Sequence, residues 1–314
     1  MKQALKYYFD ITVDIEDNGE IGYFLYDKSN YYFVPYLRDK KAIQDIISVS
    51  RSIKEKNIPC HDIIINKFGD VLCTFNDKHY VLLRSTNRDK EEINCFDMIM
   101  FSNKTRVTDT KVKYDNLNWK SLWMQKNDYL EQQVREYAKD KAIILDSFSY
   151  YIGLAENAIE YLNYVDSHFR YDSQNNFLTI CHRRIFSPNY LLNYLNPLSF
   201  IIDYEVRDYA EYFKSLFFTS DFVYDELKSF LKVKKFSMFN YGLFYARLIY
   251  PSYYFDAFED YLDSNSKENE EKLLKIISKV NEYEDFLNFT INQINLYAPL
   301  EKIAWLKKNI ITQR

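Results

Sequence analysis

The sequence predicts an α+β protein with two lobes, a small β-rich N-lobe followed by a large helical C-lobe. Short runs of β-branched and aromatic residues dominate the first 88 residues, whereas apolar residues recur every three or four positions from Trp119 onward. At 314 residues, the chain is long enough for two lobes with a substantial core. We therefore expect an N-lobe over residues 1–88 and a C-lobe over residues 89–314.

The N-lobe is predicted to contain strands interrupted by one helix. Turn-forming residues such as Asn18-Gly19 separate the apolar runs. The predicted strands are Tyr8–Val13, Tyr23–Tyr26, Tyr31–Val34, Ile63–Ile65, Val71–Phe75 and Tyr80–Leu83. Isoleucines at near-helical spacing predict a helix over residues 41–56, which Pro59 ends. Three strands, a helix and further strands are also the order of elements in the small lobe of a kinase.

The C-lobe is predicted to be mostly helical. Residues 84–117 are polar and mixed, and we expect them to form a hinge and an extended link into this lobe. Apolar stripes at three- and four-residue steps then predict helices, the last of them long and amphipathic. These stripes lie in residues 119–138, 155–162 and 273–287. Such stripes are more often core than cofactor-binding surfaces.

A series of polar residues near the middle of the chain carries the main functional signal. His182-Arg183-Arg184 follows one apolar run, Asn189 lies five residues after Arg184, and Asp203 follows the next apolar run. In kinase-like sites this spacing belongs to a His-x-Asp motif, a later Asn and a second Asp. The first Asp orients the attacking hydroxyl, and the Asn and second Asp hold Mg²⁺. The spacing is kept here, but Arg184 occupies the position of the expected catalytic Asp.

Four further segments carry a family resemblance. They are Tyr150–Ile159, Arg207–Tyr212, Pro251–Phe255 and Ala304–Leu306. With the polar series, they resemble the spore coat-associated branch, of the YutH and CotS type, of the aminoglycoside and choline kinase-like superfamily. The resemblance covers nearly the whole chain. It implies a protein-kinase-like (aminoglycoside phosphotransferase-like) fold, synthesis in the mother cell cytoplasm, association with the spore coat, and other coat or assembly proteins as partners.

Two positions of the small lobe also depart from the kinase pattern. Kinases carry a Lys on the third strand that contacts the phosphates, and a Glu on the helix that pairs with this Lys. Alignment of residues 32–36 with that strand places Pro35 at the Lys position, and the helix offers Gln44 and Asp45 but no obvious Glu. Glycines that let a backbone approach phosphates are scarce as well. The chain has 5 glycines, where average usage would give about 22.

The polar series can be assigned roles residue by residue. Arg184 cannot act as a base because its guanidinium stays protonated, so we expect it to bind an anion or to pair with Asp203. His182 is predicted to be structural and to support the loop. Asn189 is either a loop cap or a residual cofactor and metal ligand. Asp203 is the other residual cofactor-binding residue, and both hold metal only if the protein is active.

These losses favour a catalytically degenerate, pseudokinase-like protein that serves as a spore coat-associated binding or assembly component. This hypothesis expects no catalytic residue and no cofactor. The alternative is an active ATP-dependent phosphotransferase, acting on a small molecule or a protein, in which Asp203 still holds Mg²⁺ and Glu205 or Asp208 serves as the base. A third hypothesis is a small-molecule sensor that kept the cleft without the chemistry.

Composition narrows the classes of partner. A net charge of −4, from 41 basic and 45 acidic residues, gives no electrostatic case for binding nucleic acid. No run of eighteen apolar residues is present, so we expect no membrane span. The four cysteines, Cys60, Cys73, Cys95 and Cys181, lack the spacing of metal ligands. Without a signal peptide before them, they are predicted to be reduced thiols of a cytoplasmic protein.

Overall fold

The computed structural model describes residues 1–18, 21–85, 93–107, 117–172, 176–185, 194–264 and 266–306. The chain divides into two compact units. The first unit comprises residues 1–93 and 182–200, and the second comprises residues 94–181 and 201–314. The predicted boundary between residues 88 and 89 lies outside the described residues, so the lobes 1–88 and 89–314 stay a prediction.

The first unit contains two helices and an antiparallel sheet. Its elements are α1 (Lys2–Phe9), β1 (Glu16–Asn18), β2 (Ile21–Tyr26), β3 (Ser29–Pro35), α2 (Ala42–Glu55), β4 (Asp62–Ile63), β5 (Leu72–Phe75) and β6 (Lys78–Arg84). The strand order is β1-β2-β3-β6-β4, and β5 also pairs with β6. The strands predicted around β2, β3, β5 and β6 are confirmed. The strand predicted at residues 63–65 is shorter and begins at Asp62.

Helix α2 confirms the prediction of a helix over residues 41–56. Its apolar stripe lies on the sheet, where Ile43 and Ile46 pack with Val34 of β3 and Val81 of β6. The turn predicted at Asn18-Gly19 includes Gly19, which lies outside the described residues. Strands β1 and β2 nevertheless pair antiparallel, with Asn18 opposite Ile21.

The strand predicted at Tyr8–Val13 is wrong. Helix α1 includes Tyr8 and ends at Phe9, and the next residue, Asp10, has a left-handed backbone with a φ of 56°. Leu5 of this helix is fully buried in a cluster that contains Phe24 and Phe33 of the sheet. Packing of the helix on this cluster therefore outweighs the local β preference of the aromatic and β-branched residues.

The second unit is mostly helical, as predicted for the C-lobe. Its helices are α3 (Cys95–Lys104), α4 (Trp119–Tyr137), α5 (Ala142–His168), α6 (Val206–Thr219), α7 (Val223–Val233), α8 (Met238–Ile249), α9 (Ser252–Ser264), α10 (Lys267–Ser278) and α11 (Val280–Ile294). Two strands, β7 (Leu178–His182) and β8 (Phe200–Tyr204), pair with each other. Helix α8 is central, since α5, α6 and α11 all pack against it.

Two predictions for this region are wrong. The expected extended link contains helix α3, which begins with a capping box between Asn94 and Asp97. The box satisfies otherwise unpaired amides at the start of the helix. The single helix expected over residues 273–287 is instead two helices separated at Lys279. The break lets α10 pack on α9 while α11 packs on α7 and α8.

Helices α5 and α8 approach closely at Gly242. A methyl group at this position would lie 2.5 Å from Cγ2 of Val165. We expect Gly242→Ala to lower the free energy of unfolding by about 1–3 kcal/mol, because the added atom overpacks the interface. Gly153 is a matched control, because no described atom lies within 4 Å of a methyl group placed there.

Gly153→Ala is expected to raise the free energy of unfolding by about 0.5–1 kcal/mol, as alanine does inside a helix. Urea denaturation of the wild type and both variants measures the two effects. Equal destabilisation by the two substitutions would contradict the close approach at Gly242.

Buried tyrosines make the stability of the fold sensitive to alkaline pH. Burial raises the pKa values of Tyr209, Tyr245 and Tyr283 above the usual value of a phenol. It raises the pKa of Tyr254 to about 12. The phenols of the unfolded chain titrate near pH ~10. Between that pH and the folded-state pKa, the unfolded state has released protons that the folded state retains.

The free energy of unfolding is therefore expected to fall as pH rises through this range. The expected slope is about 1.4 kcal/mol per pH unit for each such tyrosine. Urea denaturation at about pH 8 and about pH 11 measures the change. Unchanged stability between these two conditions would contradict the burial of the phenols.

Candidate functional site

Asp203 is the penultimate residue of β8 and is completely buried. The indole Nε1 of Trp119 donates to both of its carboxylate oxygens, at 2.9 and 3.1 Å. The backbone amide of Tyr204 donates to Oδ1 at 2.7 Å. Arg207 donates to Oδ2 from 2.7 Å and forms an ion pair with it. Each of the two carboxylate oxygens thus accepts hydrogen bonds from two protein donors.

Trp119 packs against two aromatic rings and a guanidinium group. Its ring stacks with Trp123 at 5.7 Å and meets Tyr204 edge-on at 5.6 Å. The guanidinium of Arg247 lies 4.7 Å from the ring centroid, within the range of a cation–π contact. The indole N–H is therefore fixed toward Asp203 by its surroundings, and turning it away would break several contacts.

Arg207 supplies the positive charge that a buried carboxylate requires. It is the second residue of α6 and lies four residues after Asp203, one helical turn along the chain. Only 11% of its side chain is exposed. A Mg²⁺ ion binds carboxylate oxygens at about 2.0–2.1 Å. Metal binding by Asp203 would therefore have to displace at least one of the donors from which this carboxylate now accepts hydrogen bonds.

Glu205, a candidate replacement base, is also buried and paired. Lys234 donates to its Oε2 from 2.6 Å, and the amide of Asn240 donates to its Oε1 from 3.2 Å. Removal from water raises the pKa of Glu205, and the charge of Lys234 acts in the opposite direction. Asp208, the other candidate base, is buried in the first turn of α6, where the helix dipole stabilises a negatively charged side chain.

A second buried ionic group lies around Glu211. Its Oε1 accepts a hydrogen bond from Nε of Arg247 at 2.9 Å and one from Nζ of Lys214 at 3.2 Å. Lys214 also donates to the hydroxyl of Ser252 at 3.0 Å. Because Arg247 also contacts Trp119, contacts run without interruption from Glu211 to Asp203.

His182 and Arg184, which belong to the predicted series of polar residues, lie in the first unit. His182 is fully buried, and its Nε2 lies 2.8 Å from the carbonyl oxygen of Tyr194. Its ring stacks with Tyr194 at 5.0 Å. Arg184 is half-buried and donates to the carbonyl of Arg183. Asn189 lies outside the described residues. Arg184 and Asp203 belong to different units, so their ion pair stays a prediction.

The two small-lobe positions can be located within the first unit. Pro35 is the last residue of β3 and lies opposite Tyr80. Gln44 and Asp45 are exposed, whereas Ile43 and Ile46 of the same helix face the sheet. The face of α2 that contacts β3 is therefore apolar at these positions. Whether Pro35 replaces a catalytic Lys stays a prediction.

The hydrogen-bond and ion-pair partners of Asp203 were not predicted from the sequence. The distance of four residues between Asp203 and Arg207, at the start of a helical pattern, was a usable signal for an ion pair. Trp119 gave none, because it is separated from Asp203 by 84 residues. Glu211 and Lys214 are spaced for a helical ion pair, but their burial among aromatic residues had no local signal.

In the residues that the structure describes, no group of three or more His, Cys, Asp and Glu side chains is arranged to hold a metal ion. The four cysteines are free and buried. None of the helices in the described ranges combines the length and the apolar character that crossing a bilayer requires.

Comparison with known proteins identifies the family. A family model described as "Spore coat putative kinase YutH" matches residues 2–290. The chain belongs to the YutH family. The endospore coat-associated protein YutH of Bacillus subtilis (strain 168) is 29% identical over 317 residues, which covers 91% of this chain and 92% of that protein. The family resemblance predicted from the sequence is thereby confirmed.

Solved structures of antibiotic phosphotransferases share the fold of this YutH family member. An aminoglycoside phosphotransferase from Alicyclobacillus acidocaldarius matches with a TM-score of 0.60 and 11% identity, covering 94% of this chain and 96% of that one. The spectinomycin phosphotransferase APH(9)-Ia matches with a TM-score of 0.61 and 8% identity, covering 93% and 97%. The α+β, kinase-like fold predicted from the sequence is confirmed.

Proposed function

We propose that this YutH family member is a catalytically degenerate, pseudokinase-like protein that acts as a binding or assembly component of the spore coat. The observation that carries the proposal is the state of Asp203. In a working kinase the corresponding carboxylate is available to Mg²⁺. Here it is buried and bonded to Trp119, Arg207 and a backbone amide.

The size of the expected losses supports inactivity. A general base contributes about 10²–10⁴-fold to a reaction rate, so the substitution at Arg184 alone would leave some transfer. Phosphoryl transfer depends mainly on positioning and on neutralising the phosphate charge with metal ions. Because Asp203 is paired with Arg207, we expect it not to bind the metal, so the contribution of the metal ions is lost as well. The two changes affect different parts of the mechanism and therefore reinforce each other.

The coat setting comes from the relative in Bacillus subtilis, which is described as endospore coat-associated. By analogy, the chain is made in the mother cell cytoplasm and binds other coat or assembly proteins. Exposed aromatic side chains on each unit offer contact area for such partners. Examples are Tyr7 and Phe68 in the first unit, and Tyr137 and Phe222 in the second.

The alternative is an active phosphotransferase, which the family description as a kinase favours. This function requires ATP, Mg²⁺ and a replacement base. Glu205 is bonded to Lys234 and Asn240 instead of facing open space. Asp208 is buried in the first turn of α6. Both candidate bases are thus poorly placed to accept a proton from a substrate hydroxyl.

Thermal denaturation with ATP and Mg²⁺ distinguishes the two functions. We expect the melting temperature in ATP to be the same with and without Mg²⁺, because Asp203 does not bind the metal. Asp203→Asn is the test variant, and Asp221→Asn, at an exposed acid, is the control. Mg²⁺-dependent stabilisation that Asp203→Asn abolishes and Asp221→Asn preserves, together with phosphate transfer, would establish an active kinase. Stabilisation by ATP without Mg²⁺ would support a binding protein.

The coat assignment needs a test of its own. A fluorescent fusion of the chain, expressed in sporulating Bacillus subtilis, is expected to collect at the periphery of the developing spore. A fusion that stays evenly distributed in the mother cell throughout sporulation would contradict the assembly role. This outcome would leave the question of catalysis to the denaturation experiment.

A further inference from the structure

An open pocket lies in the second unit beside the first turn of α8. Its volume is about 710 Å³. Among the residues that line it are Arg170, Asn176, Lys235, Phe236, Ser237 and Phe239. None of the side chains that bond to Asp203 lines this pocket. It is therefore separate from the candidate site described above.

Asn176 lines the pocket, and its buried side chain carries an unsatisfied donor. Only 1% of the residue is exposed. Its Oδ1 accepts a hydrogen bond from the hydroxyl of Ser237, which fixes the orientation of the amide. Its Nδ2 has no hydrogen-bond partner among the described residues. Buried polar groups are nearly always bonded, so this amide indicates a missing acceptor.

The start of α8 also lines the pocket, through Ser237, Met238 and Phe239. Ser237 caps the helix by accepting from the amide of Asn240. The amides of Met238 and Phe239 belong to the first turn, where no carbonyl within the helix can accept from them. The positive end of the dipole of this 12-residue helix adds to their attraction for an anion.

The charged and apolar residues around the pocket indicate the chemical character of the ligand that it would bind. Arg170 and Lys235 are cationic, His168 is an imidazole, and Asp172 is the acid among the lining residues. Lys235 lies 3.3 Å above the ring centroid of Tyr297 and donates to a backbone carbonyl. The aromatic walls are formed by Phe169, Phe177, Phe236 and Phe239. The pocket therefore combines anion-binding donors with surfaces suited to a flat apolar group.

We propose that this pocket binds a small organic anion. Its phosphate or carboxylate group accepts hydrogen bonds from Nδ2 of Asn176 and from the first turn of α8, and its flat apolar part lies against the phenylalanine rings. The ring of Phe239 contacts that of Tyr204, the residue after Asp203. Occupancy is thus expected to alter the surroundings of Trp119, which also contacts Tyr204, and to change tryptophan fluorescence.

Titration calorimetry with 1-naphthyl phosphate tests the proposal on the full chain. We expect one molecule to bind per chain, at least about tenfold more tightly than the uncharged 1-naphthol, because only the phosphate can accept from the buried donors. Asn176→Asp keeps an acceptor for Ser237 but replaces the amide donor with a negative charge. This variant is expected to bind 1-naphthyl phosphate at least about tenfold more weakly.

Arg170→Gln gives a test that does not disturb the buried amide. Arg170 is exposed, so the variant is expected to fold normally and to bind about threefold more weakly. Arg51→Gln removes the same charge from an exposed arginine that does not line the pocket, and is expected to bind as the wild type does. Equal binding of 1-naphthol and 1-naphthyl phosphate, absence of binding, or unchanged affinity in Arg170→Gln would overturn the proposal. If Asn176→Asp does not fold, Arg170→Gln decides.

Discussion

Asp203→Ala is expected to lower the free energy of unfolding by about 3–5 kcal/mol. The substitution removes the ion pair between Asp203 and Arg207, whose side chain is 11% exposed. It also leaves the buried indole N–H of Trp119 without an acceptor. Urea denaturation measures the loss, which we expect to be the same with and without Mg²⁺.

Two further variants make this prediction specific. Asp203→Asn keeps an acceptor for Trp119 but loses the charge, so its destabilisation is expected to lie between those of the wild type and Asp203→Ala. Asp221→Ala changes an exposed acid and is expected to shift stability by less than about 0.5 kcal/mol. A stable Asp203→Ala variant would show that the carboxylate is not needed to hold Trp119 and Arg207, and the structural basis of the proposed inactivity would fail.

Glu211→Gln is expected to cost about 3–5 kcal/mol of unfolding free energy. Glu211 forms ion pairs with both Arg247 and Lys214, and all three side chains are at most 5% exposed. Glutamine fills nearly the same volume but carries no charge, so the ion pairs of Glu211 with two buried cations would be lost. The measurement is again urea denaturation, compared with the wild type at the same pH.

An exposed pair provides the control for Glu211. Glu131 and Arg135 form an ion pair one helical turn apart in α4, where the arginine side chain is 73% exposed. Glu131→Gln is expected to cost about 0.3–0.5 kcal/mol. A result in which Glu211→Gln and Glu131→Gln cost the same would mean that the buried cations near Glu211 find other compensation or water.

Elements fixed by local sequence were predictable, and contacts between distant residues were not. Strands β7 and β8 follow from apolar runs, and the position of Asp203 at the end of β8 follows from the spacing of the kinase-like series. The partners of this carboxylate depend on how α4 and α6 pack, which no local pattern encodes. A role for Asp203 at a metal site could therefore be predicted from the family pattern, whereas its bonds with Trp119 and Arg207 could not.

The wrong helix and strand predictions have a common physical cause. Residues 8–13 have strong β preference, yet α1 forms because Leu5 finds a buried position on the sheet. The stripe over residues 273–287 is continuous in sequence, yet the chain breaks at Lys279 so that two helices meet different neighbours. In both regions tertiary packing decided between local structures of similar intrinsic stability.

The bonds of Asp203 with Trp119 and Arg207 have a consequence for recognising enzymes from their sequences. A mutation at this position would be removed by selection for a foldable protein, even in a lineage that never transfers phosphate. An aspartate retained at a magnesium position can therefore be maintained by folding alone. Proteins of this kind would be counted among working kinases by anyone who searched only for that acid.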